Sequence, residues 1–156
     1  MKITLIQVGG TVDRYLRTGV DEYVKRLGHY TKFSITEITD LKNASKLSRD
    51  ELKKREGSEI LKKLSSEDFV VLLDERGKLY SSEDFAQFIQ SKMNQSTRSL
   101  VFIIGGAFGF SEEIYARAQA KLSLSKMTFS HRMIRLLFTE QLYRAFTILR
   151  NEPYHH

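Results

Sequence analysis

The chain has 156 residues, with no cysteine, a single proline and no long apolar run. Without cysteine it forms neither a disulfide nor a zinc–thiolate site, and the sequence predicts no metal centre. The apolar run in residues 1–10 is too short for a signal peptide or a membrane span. We therefore expect a cytoplasmic protein without a membrane partner. The 41% hydrophobic and 28% charged residues are typical of an ordinary globular protein.

The formal net charge is +6, and it is unevenly distributed. Residues 121–156 contain six lysines and arginines against two glutamates, so four of the six net positive charges lie there. A basic surface favours a polyanion such as nucleic acid. Mildly basic soluble proteins with other functions are also common, so charge alone leaves both interpretations open.

Alternating strand and helix patterns predict the fold class. Strands are predicted for four β-branched apolar runs, residues 3–8, 32–38, 69–74 and 100–104. Helical periodicity fills the gaps, over residues 12–27, 48–64, 81–93 and 131–150. The first of these helices has Val12, Leu16, Val20 and Leu27 on one face. This alternation predicts one α/β domain over residues 1–156, with a mostly parallel sheet and helices on both faces.

Three glycines follow the predicted strand 100–104, in the sequence "IIGGAFGF". They do not form a P-loop, which needs a Lys-Ser/Thr pair after its glycines, whereas Glu112 and Glu113 occur here. A dinucleotide site is also disfavoured, because the spacing is not GxGxxG and no aspartate follows Gly105. Either the glycines let the backbone approach another ligand, or they simply form a tight turn with positive φ.

The segment "KLSLSKMTFSH", residues 121–131, is rich in hydroxyl groups and leaves room for a further strand and turn between two helices. Such a loop offers backbone amides and carbonyls to an adenine or ribose at the carboxyl ends of parallel strands. The alternative is an ordinary serine-rich connection, and periodicity does not distinguish the two.

Five motifs along the chain resemble, in order and spacing, the RlmH family. They are "VVLLDERGK", "FIIGGAFGF", "LSLSKMTFSHRMIR", "EQLYRAF" and "NEPYHH". This family consists of SPOUT-superfamily enzymes that methylate N3 of a pseudouridine in 23S rRNA. The resemblance implies a C-terminal trefoil knot, S-adenosyl-L-methionine as the cofactor, a homodimer, and 23S rRNA within the 70S ribosome as the substrate, with no DNA partner.

The resemblance also implies site residues. The cofactor would contact Leu73, Gly105, Leu124, Ser125, Lys126, Met127, Thr128 and Phe129. The candidate catalytic residues are Arg144, Tyr154 and His155. His131 and Glu140 are further candidates because they can accept a proton, and Arg135 because it can stabilise an anion.

One position departs from the family pattern. Ser130 stands where the family commonly has proline. We expect Ser130 to act as an N-cap of the last helix, next to a looser cofactor loop.

Two other classes of function remain as alternatives. One is a dinucleotide-dependent enzyme, which the glycine spacing disfavours. The other is a non-catalytic ribosome- or RNA-binding protein that uses only its basic C-terminal third. The second alternative predicts RNA association that does not depend on the cofactor.

Overall fold

A computed structural model describes residues 1–156. In chain order its elements are β1 (Lys2–Val8), α1 (Arg14–Leu27), β2 (Lys32–Ile38), α2 (Arg49–Leu61), β3 (Phe69–Leu79), α3 (Ser82–Asn94), β4 (Ser99–Ile104), α4 (Glu112–Arg117), β5 (Ala120–Ser123) and α5 (His131–Leu149). All strand pairings are parallel, and the sheet order is β2-β1-β4-β3-β5. The predicted parallel α/β fold is confirmed, and the segment 121–131 does contain the end of an extra strand. No helix is long and apolar enough to cross a membrane.

The sheet is covered by helices on both faces. Along β4, Leu100, Phe102 and Ile104 belong to one apolar cluster, which includes residues of α3 and α5. Val101 and Ile103 belong to a second cluster, with residues of α2 and α4. This division follows from the two-residue period of a strand, which sends successive side chains to opposite faces. Continuous apolar runs such as β4 are therefore buried on both sides.

Serine side chains begin three of the long helices. The hydroxyl oxygens of Ser48, Ser81 and Ser130 accept hydrogen bonds from the amides three residues later, at 3.2, 3.0 and 3.2 Å. Each bond satisfies an amide that the helix itself leaves without a partner. The predicted cap at Ser130 is thus confirmed, and α5 begins normally without proline.

Three sequence-based boundaries are wrong. Val12 does not lie on a helix: α1 begins at Arg14, and Val12 is 70% exposed. Helix α2 ends at Leu61 instead of residue 64. Strand β3 continues to Leu79, because its pairing with β5 shifts register between Leu73 and Lys78 and then resumes. The sequence 75–79 is polar and glycine-containing, so its local pattern indicates a loop.

Candidate active site

A cleft of about 990 Å³ opens at the carboxyl ends of β4 and β5, beside residues 73–76 of β3, where the pairing of β3 with β5 shifts register. Its walls come from the glycine turn after β4, the loop after β5, and the first turns of α2, α4 and α5. Ligands of open α/β sheets bind outside the carboxyl ends of the strands. The cleft therefore lies where folds of this class commonly bind a ligand.

Seven of the eight predicted cofactor residues line this one cleft, and they come from three separate segments. They are Leu73, Gly105, Leu124, Ser125, Met127, Thr128 and Phe129. Lys126 lies in the same loop but is exposed and does not line the cleft. The ammonium group of Lys126 is therefore not part of the walls of the cleft.

The glycine turn is tight, and it brings backbone to the cleft. The Gly109 amide donates to the Gly106 carbonyl at 3.2 Å, and Gly109 has φ of 84°. A Cβ on Gly105 would lie 3.0 Å from the Phe110 ring. At Gly109 a side chain would meet open space, so the positive φ is the reason for glycine there. The tight turn with positive φ is thus confirmed, and this turn lines the cleft.

Serine hydroxyls order the loop after β5. Ser123 Oγ donates to the Ser125 carbonyl at 2.9 Å, and the Met127 amide donates to Ser125 Oγ at 2.9 Å. Such side-chain bonds to nearby backbone fold a short segment without a helix or strand. The loop therefore has a defined backbone conformation. The side chain of Met127 is nevertheless 76% exposed.

Glu56 of α2 packs beneath the glycine turn. Its carboxylate oxygens lie so close to Gly106 that a Cβ there would be 2.7 Å from Oε2. Burial, followed by the nearby charge of Asp40, raises the pKa of Glu56. The folded protein therefore disfavours the ionised form of this side chain.

Replacing Glu56 with glutamine is expected to raise the melting temperature at pH 7. Because the pKa of Glu56 is higher in the folded than in the unfolded state, ionisation costs stability as the pH rises above the ordinary value of about 4. Below that pH both states are protonated, and the difference between variant and wild type should vanish. Differential scanning calorimetry from pH 3.5 to 8 measures this, with Glu59→Gln, in an exposed ion pair on the same helix, as the control. A gain independent of pH would contradict the explanation.

The candidate catalytic residues Arg144, Tyr154 and His155 form a polar cluster outside the cleft, in which Glu140 of α5 links Arg144 and Tyr154. Arg144 Nη2 donates to Glu140 Oε1 at 2.6 Å, and the Tyr154 hydroxyl donates to the same oxygen at 3.0 Å. The Arg144 guanidinium also lies 4.9 Å from the centre of the Tyr154 ring. The pKa of Tyr154 is raised, chiefly by burial and then by its bonds with Tyr23 and Glu140. Tyr154 therefore stays protonated at neutral pH.

His155 is held between two charged groups. Its Nδ1 lies 3.3 Å from Arg144 Nη1 and its Nε2 lies 2.8 Å from Glu83 Oε1. Because a guanidinium only donates, Nδ1 accepts and Nε2–H donates to the carboxylate. Both ring nitrogens are then occupied, and the bond to His155 lowers the pKa of Glu83. No motif links Glu83 to His155, since the two residues are 72 positions apart in the chain.

The last residues are anchored rather than frayed. The Tyr30 hydroxyl donates to Glu152, and the Glu152 amide donates to the Thr147 carbonyl at 2.9 Å. The bond to Glu152, reinforced by burial, raises the pKa of Tyr30 to about 12. These contacts hold the chain just before Tyr154, so the Arg144–Tyr154–His155 cluster has a defined geometry.

Within one chain, the cleft and the Arg144–Tyr154–His155 cluster are separate. Arg144, Tyr154 and His155 are absent from the lining of the cleft, whereas His131 lines it. Burial and then the charge of Arg135 lower the pKa of His131, so its imidazole is neutral at pH 7. Arg135 is itself 1% exposed and donates to Thr11 Oγ1 and the Val8 carbonyl, so it is a structural residue rather than a group available to substrate.

Comparison with known proteins agrees with this architecture. The family described as "Predicted SPOUT methyltransferase" matches residues 1–155. A protein of Flavobacterium johnsoniae named "Ribosomal RNA large subunit methyltransferase H" is 56% identical over all of this chain and 99% of its own. Proteins with the same name from Christiangramia forsetii and Phocaeicola vulgatus are each 54% identical, with the same coverage.

The fold also matches a solved structure, that of a probable methylase family protein from Haemophilus influenzae. The TM-score is 0.55 at 14% identity, over 97% of this chain and 69% of the other. At this identity the likeness concerns the fold alone. Together with the full-length match to the family and to its relatives, it leaves one conclusion: the chain belongs to the SPOUT methyltransferases, in the family of large-subunit rRNA methyltransferases H.

Proposed function

We propose that this protein transfers a methyl group from S-adenosyl-L-methionine to N3 of a pseudouridine in the large-subunit rRNA of assembled 70S ribosomes, in the cytoplasm. The observation that carries the proposal is the convergence of seven predicted cofactor residues on one cleft. The names of the relatives support large-subunit rRNA as the substrate.

The charges of the cleft also suit this cofactor. Five carboxylate side chains, those of Asp50, Asp74, Glu75, Glu112 and Glu113, line it, against four lysine and arginine side chains. S-adenosylmethionine carries a sulfonium, an ammonium and a carboxylate group, so it has a net positive charge, which carboxylates attract and which phosphate sites would repel. This explains why the glycine turn lacks the lysine of a phosphate-binding loop.

The chemistry requires an in-line displacement. The residues of the cleft would hold S-adenosylmethionine, which would supply the methyl group to the N3 lone pair; the electron pair of the broken carbon–sulfur bond would stay on sulfur, giving S-adenosylhomocysteine. The N3 proton must pass to a base, and holding both reactants in line supplies much of the rate. Of the two candidate imidazoles, neutral His131 lies in the cleft, whereas His155 must leave Arg144 before it can accept a proton. Release from His155 would free Arg144 to stabilise the anionic base of the substrate.

The separation of the two clusters supports a homodimer with composite sites, in which the cleft of one chain meets the Arg144–Tyr154–His155 cluster of the other. Apolar side chains around the start of α1 and in the loop 124–129 are exposed: Val12, Tyr15, Met127 and Phe129 are 70, 68, 76 and 40% exposed. An ion pair of Asp13 with Arg132, at 3.3 Å, links the start of α1 to the first turn of α5, which follows this loop. Exposed apolar patches of this kind mark interfaces.

Mixing two inactive variants tests whether the active site is composed of residues from both chains. Gly105→Val damages the cleft, where its side chain would press on Phe110, and Arg144→Met damages the other cluster. In a dimer that contains one chain of each, a composite arrangement leaves one site intact, so about half of the wild-type methyl transfer to 70S ribosomes should return. Two differently tagged chains allow that dimer to be purified. Activity that stays absent, although both variants fold and dimerise, would contradict a composite site.

A further inference from the structure

The first two turns of α2 carry a basic face that does not take part in packing the helix against the sheet. The buried residues of the helix, Gly57 and Ile60, both lie in its second half. Arg49, Lys53 and Lys54 instead line the cleft and supply three of its four lysine and arginine side chains. The mixed charges of this segment look in sequence like an ordinary solvated surface.

Arg49 is placed against the preference of its own helix. It occupies the first helical position, where the positive end of the helix dipole disfavours a cation. It forms no ion pair, and its guanidinium lies 4.8 Å from the centre of the Phe108 ring. Phe108, in the glycine turn, is 45% exposed. An exposed aromatic ring beside a free guanidinium is a surface on which nucleobases stack.

The two lysines continue the same surface. Lys53 is four residues after Arg49, on the same side of the helix, and its only ion pair is a 3.6 Å contact with Asp50. Lys54 is close enough to Glu113 to lower the pKa of that carboxyl group slightly, after stronger backbone and Ser111 bonds. Neither ammonium group is tied into a short ion pair, so both can bind a phosphate.

We infer that Phe108, Arg49, Lys53 and Lys54 bind the rRNA strand beside the methylated nucleotide. One flanking base stacks on Phe108 and the Arg49 guanidinium, and the adjoining phosphates bind the two lysines. This inference rests on the proposed function. It assigns to α2 the task of holding the RNA backbone at the rim of the cofactor cleft, where the carboxylates of β3 and α4 attract the cationic cofactor.

Ribosome binding at several salt concentrations tests the phosphate contacts of the two lysines. Lys53→Gln with Lys54→Gln should weaken binding to 70S ribosomes about tenfold at low salt and reduce the slope of log K against log salt by about 2. The control, Lys62→Gln with Lys63→Gln, removes the same charge from the other end of the helix, outside the cleft. Its slope should stay close to that of the wild type.

Phe108→Ala gives a different signature. Affinity should fall about tenfold with an unchanged salt slope, because stacking releases no counterions. Calorimetry with S-adenosylhomocysteine should give unchanged affinity for every variant. Equal behaviour of the two charge variants would overturn the inference, and a parallel loss of S-adenosylhomocysteine affinity would assign this surface to the cofactor instead. Absence of methyl transfer by the wild type would overturn the proposed function as well, whereas normal transfer by all variants would overturn this inference alone.

Discussion

Replacing Arg144 with methionine is expected to lower the turnover of methyl transfer about a hundred- to a thousandfold, the usual loss when a charge-stabilising donor is removed. Arg144 contacts Glu140, Tyr154 and His155 at the same time. Since it does not line the cleft, the affinity for S-adenosylhomocysteine should not change. Methyl-transfer kinetics with 70S ribosomes and calorimetry with S-adenosylhomocysteine measure the two quantities separately.

Lysine should not restore the activity lost with Arg144. The guanidinium donates to Glu140 and faces His155 Nδ1 at the same time, and a single ammonium group lacks that planar arrangement of donors. Arg150→Met is the matched control, because Arg150 follows the same helix but lies over Tyr30, 4.8 Å from its ring centre. Turnover of Arg144→Met close to that of Arg150→Met would remove Arg144 from the mechanism.

Replacing Gly77 with alanine is expected to destabilise the protein by about 3 kcal/mol, at the upper end for overpacked positions. A Cβ on Gly77 would lie 2.5 Å from the backbone nitrogen of Leu122 and 2.7 Å from the carbonyl carbon of Lys121. Backbone atoms within a strand cannot move aside as a side chain can, so β3 and β5 must separate. For a chain of this size the melting temperature should fall by roughly 10 °C.

The same substitution should weaken cofactor binding. Strand β5 ends at Ser123, directly before the loop 124–129 that lines the cleft. Displacing Leu122 therefore moves the loop itself. The control is Gly10→Ala, where a Cβ would have its nearest contact at 3.4 Å, from the flexible Glu37 carboxylate. Thermal unfolding and calorimetry with S-adenosylhomocysteine should separate the two variants, and equal melting temperatures would show that the close approach at Gly77 is not rigid.

Local patterns predicted the parts of the fold that depend on neighbouring residues. The apolar runs of β1 and β4, and the capping serines Ser81 and Ser130, carry their own signals. The end of β3 carries no such signal, because its residues are mostly polar. It is a strand only because Lys78 and Leu79 pair with β5. Long-range pairing of this kind leaves no periodic trace in the sequence.

The residues of the candidate site also divide into those with a signal in the sequence and those without one. Family motifs indicated the cofactor residues, and the structure brings seven of the eight together. Glu83 and Arg49 carry no motif, since each acquires its partner, His155 or Phe108, only through tertiary contacts. Arg135 is a candidate by its sequence context, but its burial at 1% exposure leaves no trace in a helix face that otherwise looks basic.

Transfer of a labelled methyl group from S-adenosylmethionine tests the central claim most directly. The substrates are 70S ribosomes, isolated subunits and free rRNA, all from cells that lack this protein. We predict label in the large-subunit rRNA of 70S ribosomes, mapped by mass spectrometry to N3 of one pseudouridine. Absence of label from every substrate, while calorimetry shows S-adenosylhomocysteine bound to the protein, would contradict the proposed substrate.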